Sequence, residues 1–163
     1  MHVFILQNHG LIACGPDVEF VSDLVADVER RLTMPVLAEG DTLPQTDAPD
    51  GFSWAPESWA AHHDHMISRA TAGSYYPDHV VFLGPALPHA DHDAKPPAIV
   101  RPGEGILLRD GATSSQKAML RCVFDVLSRV SEDWEIAAIG ASAEAELLDW
   151  DAEKYRQALA ARA

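Results

Sequence analysis

The chain has 163 residues, of which 47% are hydrophobic and 23% charged, a composition that predicts a globular domain with a core of its own. Twelve Lys and Arg against 25 Asp and Glu give a formal net charge of -13, and such a surface repels phosphate backbones and anionic lipid. We therefore expect no nucleic-acid partner, no membrane partner, and a single domain over residues 1–163.

The start of the chain and its two cysteines bear on location. Residues 1–6 carry no basic segment and too short an apolar stretch for a secretory signal, and no apolar run reaches the roughly 20 residues of a membrane-spanning helix. Cys14 and Cys122 stand among apolar neighbours, which predicts small buried side chains with free thiols in a reducing compartment. These features favour a cytoplasmic protein.

The hydrophobic pattern contains both strands and helices, and it predicts an α/β or mixed α+β fold. Two short apolar runs, at residues 3–6 and 11–14, flank turn-forming residues at 8–10 and predict a β-hairpin. Apolar residues at helical spacing then follow Asp17, which predicts a capped amphipathic helix that ends just before Pro35.

Beyond this helix the pattern predicts a long connection and six further elements. They are the connection at residues 35–56, helices at residues 57–70, 115–130 and 142–161, and strands at residues 79–83, 99–100 and 105–108. The helix at residues 115–130 is apolar over most of its circumference, so it should be the most deeply buried helix.

His9, in the predicted hairpin turn, is the first candidate for chemistry. A histidine between two strands projects its ring from the end of the sheet, where a neutral imidazole is a good zinc ligand. Gly10 then lets the backbone turn sharply. An ordinary hydrogen-bonded turn histidine is the alternative interpretation.

Two other stretches are rich in metal-ligating side chains. His62 and His65 have i,i+3 spacing on a predicted helix and could share a zinc or other divalent ion, whereas His63 should point away from His65. The loop at residues 88–93 offers two histidines and two aspartates. In both places a solvated surface is the alternative.

Thr113 and Ser114 lie between a predicted strand and the helix at residues 115–130. Backbone N–H groups at a helix start, with hydroxyls beside them, suit an anion such as a sugar phosphate. N-capping of the helix by either residue is the alternative.

The sequence QNHGLIACGPDV at residues 7–18 resembles the motif of the class II aldolase/adducin family, in which Asn-His-Gly is followed by four apolar residues, Gly-x-Asp-Leu and an amphipathic helix. Residues 75–84 and 148–156 resemble the carboxy-terminal extension of longer members, with the aldolase half of rhamnulose-phosphate aldolase/dehydrogenases as a near relative. In these terms residues 1–34 correspond to the end of the aldolase core and residues 35–163 to the extension.

The resemblance implies a partial class II aldolase-like sheet with covering helices. It also implies a carbon–carbon lyase in which zinc polarises a ketose sugar or sugar phosphate, and it maps the third zinc histidine of the family onto His9. The family takes its other two zinc histidines, an acidic proton-transfer residue and its phosphate-binding loops from a segment before this motif, and no part of the sequence matches that segment. The resemblance therefore implies an incomplete site, in a fragment, a truncated gene product or an inactive relative.

The alternative function is a non-catalytic interaction or oligomerisation module, because the adducin branch of the family keeps the fold without aldolase chemistry. The apolar residues 3–6 predict an unpaired strand edge or an uncovered apolar face. Pairing of two copies would cover it, so we expect a homo-oligomer.

Overall fold

The computed structural model describes residues 2–7 and 9–160, and it divides into two compact units, Met1–Pro35 and Val36–Ala163. The boundary between the units follows Pro35. The same residue ends the helix predicted after Asp17, because proline cannot continue a helix. Helices and small antiparallel sheets both occur among the described residues, so the mixed α/β fold class is confirmed. The prediction of a single domain over residues 1–163 stays a prediction.

The first unit is a β-hairpin followed by one helix. Its elements are β1 (His2–Leu6), β2 (Gly10–Cys14) and α1 (Val18–Leu32), with β1 and β2 antiparallel. The Asp17 carboxylate accepts a hydrogen bond from the Phe20 N–H at 2.8 Å and so satisfies one of the free donors at the start of α1. The hairpin, the cap and the helix are confirmed. Asn8 lies outside the described residues.

The second unit combines a small antiparallel sheet with helices. In chain order its elements are β3 (Phe52–Trp54), a 3-10 helix (Pro56–His62), α2 (Asp64–Ala72), α3 (Pro77–Leu83), β4 (Ala98–Arg101), β5 (Gly105–Arg109), α4 (Ser114–Leu127), α5 (Ala141–Asp149) and α6 (Asp151–Ala160). The strand order is β3-β5-β4, so β5 is central, and its residues 105–108 are all buried.

The core of the second unit forms where the sheet meets the 3-10 helix, α2, α3 and α4. Its largest fully buried apolar side chains come from α2, α3, the loop after α3, β5 and α4: Met66, Leu83, Leu87, Ile106, Leu120, Phe124 and Leu127. α4 contributes four buried residues to the core, but the prediction that it is the most deeply buried helix is wrong, because α3 buries four of its seven residues whereas Val126 of α4 is exposed.

The predicted strand at residues 79–83 is wrong, because this segment is α3. Its β-branched residues favour a strand locally, but Pro77 at the first helical position has its φ preset for a helix. Val80 and Val81 are buried in α3, which packs against α4 and α5. Tertiary packing has thus overridden a short local preference.

Other boundaries also differ from the prediction. Residues 57–70 form two elements, because the 3-10 helix ends at His62 and α2 begins at Asp64. The last predicted helix is broken at Trp150 into α5 and α6, and residue 161 lies outside the described residues. The predicted connection at residues 35–56 contains β3, whose three residues give too short a signal to detect.

Both cysteines are exposed and free, so the prediction that they are buried is wrong. Cys14 lies on a hairpin whose apolar neighbours are themselves exposed, and Cys122 lies on the outer side of α4. The prediction of free thiols is confirmed. Within the part of the chain that the structure describes, we find no helix with the length and apolar character needed to cross a membrane.

Candidate functional site

His9 lies in the turn between β1 and β2, and its side chain is exposed. Its backbone N–H donates to the Leu6 carbonyl oxygen at 3.1 Å, and Gly10 follows with a φ of 107°, a left-handed conformation that glycine adopts without strain. This hydrogen bond and the glycine conformation fix the backbone before and after His9.

The ring of His9 is oriented by a second contact. Its Nδ1 lies 3.3 Å from the Gln7 carbonyl oxygen, which can only accept a hydrogen bond. A proton on Nδ1 therefore satisfies this contact and leaves the lone pair on Nε2. Histidines that bind metals commonly donate their other ring N–H to a backbone carbonyl in this way, so the contact suits a metal ligand.

The two histidines predicted to share a metal ion, His62 and His65, have different surroundings. His62 ends the 3-10 helix and is exposed, whereas His65 lies in α2 with its Nδ1 3.1 Å from Glu132 Oε1. His63, which was expected to point away, has its ring centre 6.1 Å from that of His65. His63 and His65 line one pocket, and His62 is not among its lining residues.

The His- and Asp-rich loop at residues 88–93 is tied to the sheet by an arginine. Asp91 accepts a hydrogen bond from the Arg109 guanidinium at 2.5 Å, and this contact holds the pKa of the Asp91 carboxyl below its usual range. The same guanidinium lies 4.7 Å from the centre of the Phe52 ring. Asp91 is therefore engaged in fastening the loop.

Thr113 and Ser114 occupy the start of α4, as predicted from their position. The Thr113 hydroxyl accepts from the Gln116 N–H at 3.2 Å, and the Gln116 side chain accepts from the Thr113 N–H at 2.9 Å. This reciprocal pair is a capping box, which satisfies two donors at the helix start. The contacts favour the capping interpretation for Thr113. The anion site stays a prediction.

Sequence reasoning missed a buried histidine in α3. His79 is completely buried, with its ring centre 5.6 Å from that of Tyr76, and neither of its ring nitrogens has a hydrogen-bond partner among the described residues. Burial lowers the pKa of His79 to about 4, because the charged form is poorly solvated there. The sequence predicts a strand at His79, and the alternating pattern of a strand does not indicate that this side chain is completely buried.

A cleft of about 580 Å³ beside α4 was also missed. Its lining includes Glu57 and Trp59 of the 3-10 helix and Lys117 and Arg121 of α4, and burial raises the pKa of the Glu57 carboxyl. These residues come from segments that are far apart in sequence, so no local motif could have brought them together.

Among residues 2–7 and 9–160, no three His, Cys, Asp or Glu side chains already stand close enough together to hold one metal ion. Comparison of the chain with protein-family models, with curated proteins and with solved structures found no match.

Proposed function

We propose that the chain is a class II aldolase/adducin-type protein related to the zinc-dependent sugar and sugar-phosphate aldolases, with His9 as a metal ligand. The observation that carries this proposal is the His9 ring, which is exposed at a hairpin turn with Nδ1 against the Gln7 carbonyl oxygen and Nε2 left to bind a metal. The hairpin is followed by a helix capped by Asp17, and this is the order of elements in the family motif.

The residues present fit zinc only in part. Nε2 of His9 is one suitable nitrogen donor, whereas a catalytic zinc takes about three protein ligands and an open position. A bound zinc ion would supply Lewis-acid polarisation of the ketose carbonyl. Because no part of the sequence matches the segment from which the family takes its other ligands, we propose that the isolated chain does not cleave ketose phosphates.

The role of His9 can be tested by ¹⁵N NMR of the imidazole nitrogens. We expect His9 to carry its proton on Nδ1, and we expect added zinc to shift the Nε2 resonance of His9. His2 lies on the same hairpin, at the start of β1 and away from the turn, so His2→Ala is the matched control and should leave the response of His9 unchanged. A proton on Nε2 of His9, or no response to zinc, would contradict the proposal.

Activity is tested separately with a coupled assay on several ketose 1-phosphates, with and without zinc. We expect no turnover above background, because proton transfer and charge stabilisation both need groups that His9 cannot supply alone. Zinc-dependent turnover that disappears in His9→Ala would show that the chain contains a complete site.

A second candidate function, an oligomerisation module, is favoured by the surface of the first unit. All five residues of β1 are exposed, and Ile5 is 78% exposed. In α1 the apolar side chains Val18 and Val25 are exposed and line a shallow pocket, and Leu24 is the buried one. An apolar surface of this kind is typical of an interface.

We propose that a second copy of the chain covers this surface, since two identical strand edges can pair about a two-fold axis. Light scattering should then show a dimer. Ile5→Lys should give a monomer, whereas Gln7→Lys, a lysine at an exposed polar position on the same hairpin, should keep the dimer. A wild-type monomer at high concentration would contradict this second candidate.

A further inference from the structure

Two imidazoles and two carboxylates line one pocket of the second unit, which is not the unit that carries His9. The pocket has a volume of about 400 Å³, and its polar lining includes His63, His65, Glu132 and Asp133. A cluster of nitrogen and oxygen donors of this kind matches the ligands that zinc uses in proteins.

The backbone at His63 explains why its ring lies near that of His65. His63 precedes α2 and has φ -114° and ψ 95°, an extended conformation. Side chains two residues apart diverge on a helix, but this rule does not apply when the first residue is extended. The two ring centres are therefore 6.1 Å apart, with the ring planes at 78°.

Glu132 is presented to the histidines by a turn that Arg69 holds in place. The Arg69 guanidinium donates hydrogen bonds to four backbone carbonyl oxygens of this turn: those of Val130 at 3.1 Å, Ser131 at 2.8 Å, Glu132 at 3.2 Å and Trp134 at 2.7 Å. Because charge-assisted hydrogen bonds are stronger than neutral ones, the backbone that carries Glu132 is well fixed relative to α2.

The distances are close to those of a tetrahedral metal site. Zinc bonds of about 2.0–2.1 Å place two donor atoms about 3.3 Å apart and two imidazole ring centres about 5 Å apart. His65 Nδ1 and Glu132 Oε1 are 3.1 Å apart, so these two donors already have the required separation. The 6.1 Å between the ring centres of His63 and His65 exceeds the separation in such a site by about 1 Å, a difference that rotation of the His63 side chain can close.

We propose that His63, His65 and Glu132 bind one zinc-type divalent ion that links the start of α2 to the turn after α4. The two imidazoles and one carboxylate leave a fourth position open, and Asp133 beside them adds negative charge that favours a cation. Without the ion, no three such side chains in the described residues are close enough to share it. Binding therefore replaces the direct contact between His65 and Glu132 and requires the His63 ring to move toward them.

The test uses Zn²⁺ and metal-free full-length protein carrying His9→Ala, so that any ion held at the hairpin turn is absent. Calorimetric titration should show one ion per chain. Added to this background, His63→Ala and Glu132→Gln should each weaken binding by about tenfold or more, because each removes one of three ligands. His62→Ala is the matched control, since His62 is the neighbouring exposed histidine outside the pocket, and it should leave the affinity unchanged within about twofold.

Two results would overturn the proposal. One is the absence of saturable binding up to about 1 mM Zn²⁺. The other is a loss of affinity in His62→Ala as large as that in His63→Ala. Glu132 has a largely exposed side chain, so Glu132→Gln stays informative if a histidine variant fails to fold. With Co²⁺ in place of zinc, the visible absorption of a tetrahedral site should appear and should be lost in Glu132→Gln. Since His9 is absent throughout, failure here leaves the proposal for His9 standing.

Discussion

Two strands of similar composition have opposite environments in the two units. β1 has the sequence HVFIL and all five of its residues are exposed, whereas β5 has the sequence GILLR and its first four residues are buried. The difference lies in their partners, because among the described residues β1 pairs with β2 alone, whereas β5 lies between β3 and β4 under the 3-10 helix. Apolar content therefore identifies a strand, and the surrounding elements determine whether it is buried.

The helices α1 and α4 give the same comparison. Both begin at a residue whose side chain caps the helix, Asp17 in one and Thr113 in the other. One residue of α1 is buried, Leu24, whereas α4 has four. Capping fixes where a helix starts, and tertiary packing supplies most of its stability.

The largest expected effect on stability is the difference between shortening an aliphatic side chain in the core of the second unit and shortening one on the surface of the first. Leu127 is 1% exposed in the core of the second unit, so Leu127→Ala should reduce the free energy of unfolding by about 2–5 kcal/mol. Ile5→Ala at low protein concentration should change it by less than about 0.5 kcal/mol, because Ile5 is already exposed in its own unit.

Chemical denaturation measured by circular dichroism checks both values. Val126→Ala is a matched control for Leu127→Ala, since Val126 is exposed on the same helix. A loss at Ile5 comparable with that at Leu127 would break the comparison between the two units.

A smaller effect is expected from acid, and it should act on the second unit. Burial lowers the pKa of His79 from the ordinary 6.5 to about 4. Above pH 6.5 His79 is neutral in both the folded and unfolded states, so it makes no pH-dependent contribution. Between pH 6.5 and 4 the unfolded chain binds the proton and the folded chain does not. Stability should therefore fall as the pH falls, by at most about 1.4 kcal/mol per pH unit.

The variant His79→Leu isolates this effect from the titration of carboxylates. The difference in unfolding free energy between wild type and His79→Leu should change by roughly 3 kcal/mol between pH 6.5 and pH 4, with the wild type losing more. His89→Gln, at an exposed histidine, should follow the wild type. Parallel curves for wild type and His79→Leu would show that His79 titrates normally in the folded protein.

The elements predicted correctly are those with a strong local signal. The hairpin has turn residues between two apolar runs, and α1 has a capping aspartate followed by a long 3.6-residue period. The errors occur where distant contacts decide. α3 is a helix because it packs between other helices, and the three residues of β3 become a strand only by pairing with β5.

For the candidate sites too, the sequence predicts what depends on local signals and misses what depends on the folded geometry. The sequence placed His9 in a turn, but the contact of its ring with the Gln7 carbonyl oxygen depends on the backbone geometry of that turn. The approach of His63 to His65 depends on a single extended residue before α2, which no helical period could indicate. Spacing in sequence predicts which side chains share a face only when the element continues without a break.

The smallest expected effect is at the start of α4. Thr113→Ala removes the hydroxyl of the capping box and should reduce the free energy of unfolding by about 1 kcal/mol. Ser114→Ala is the matched control, because Ser114 is exposed and its change should stay within about 0.5 kcal/mol. Denaturation with and without phosphate then distinguishes a cap from an anion site. If Thr113 is a cap, Thr113→Ala reduces the free energy of unfolding by the same amount with and without phosphate. If the two residues bind an anion, phosphate stabilises the wild type, and both substitutions remove that gain.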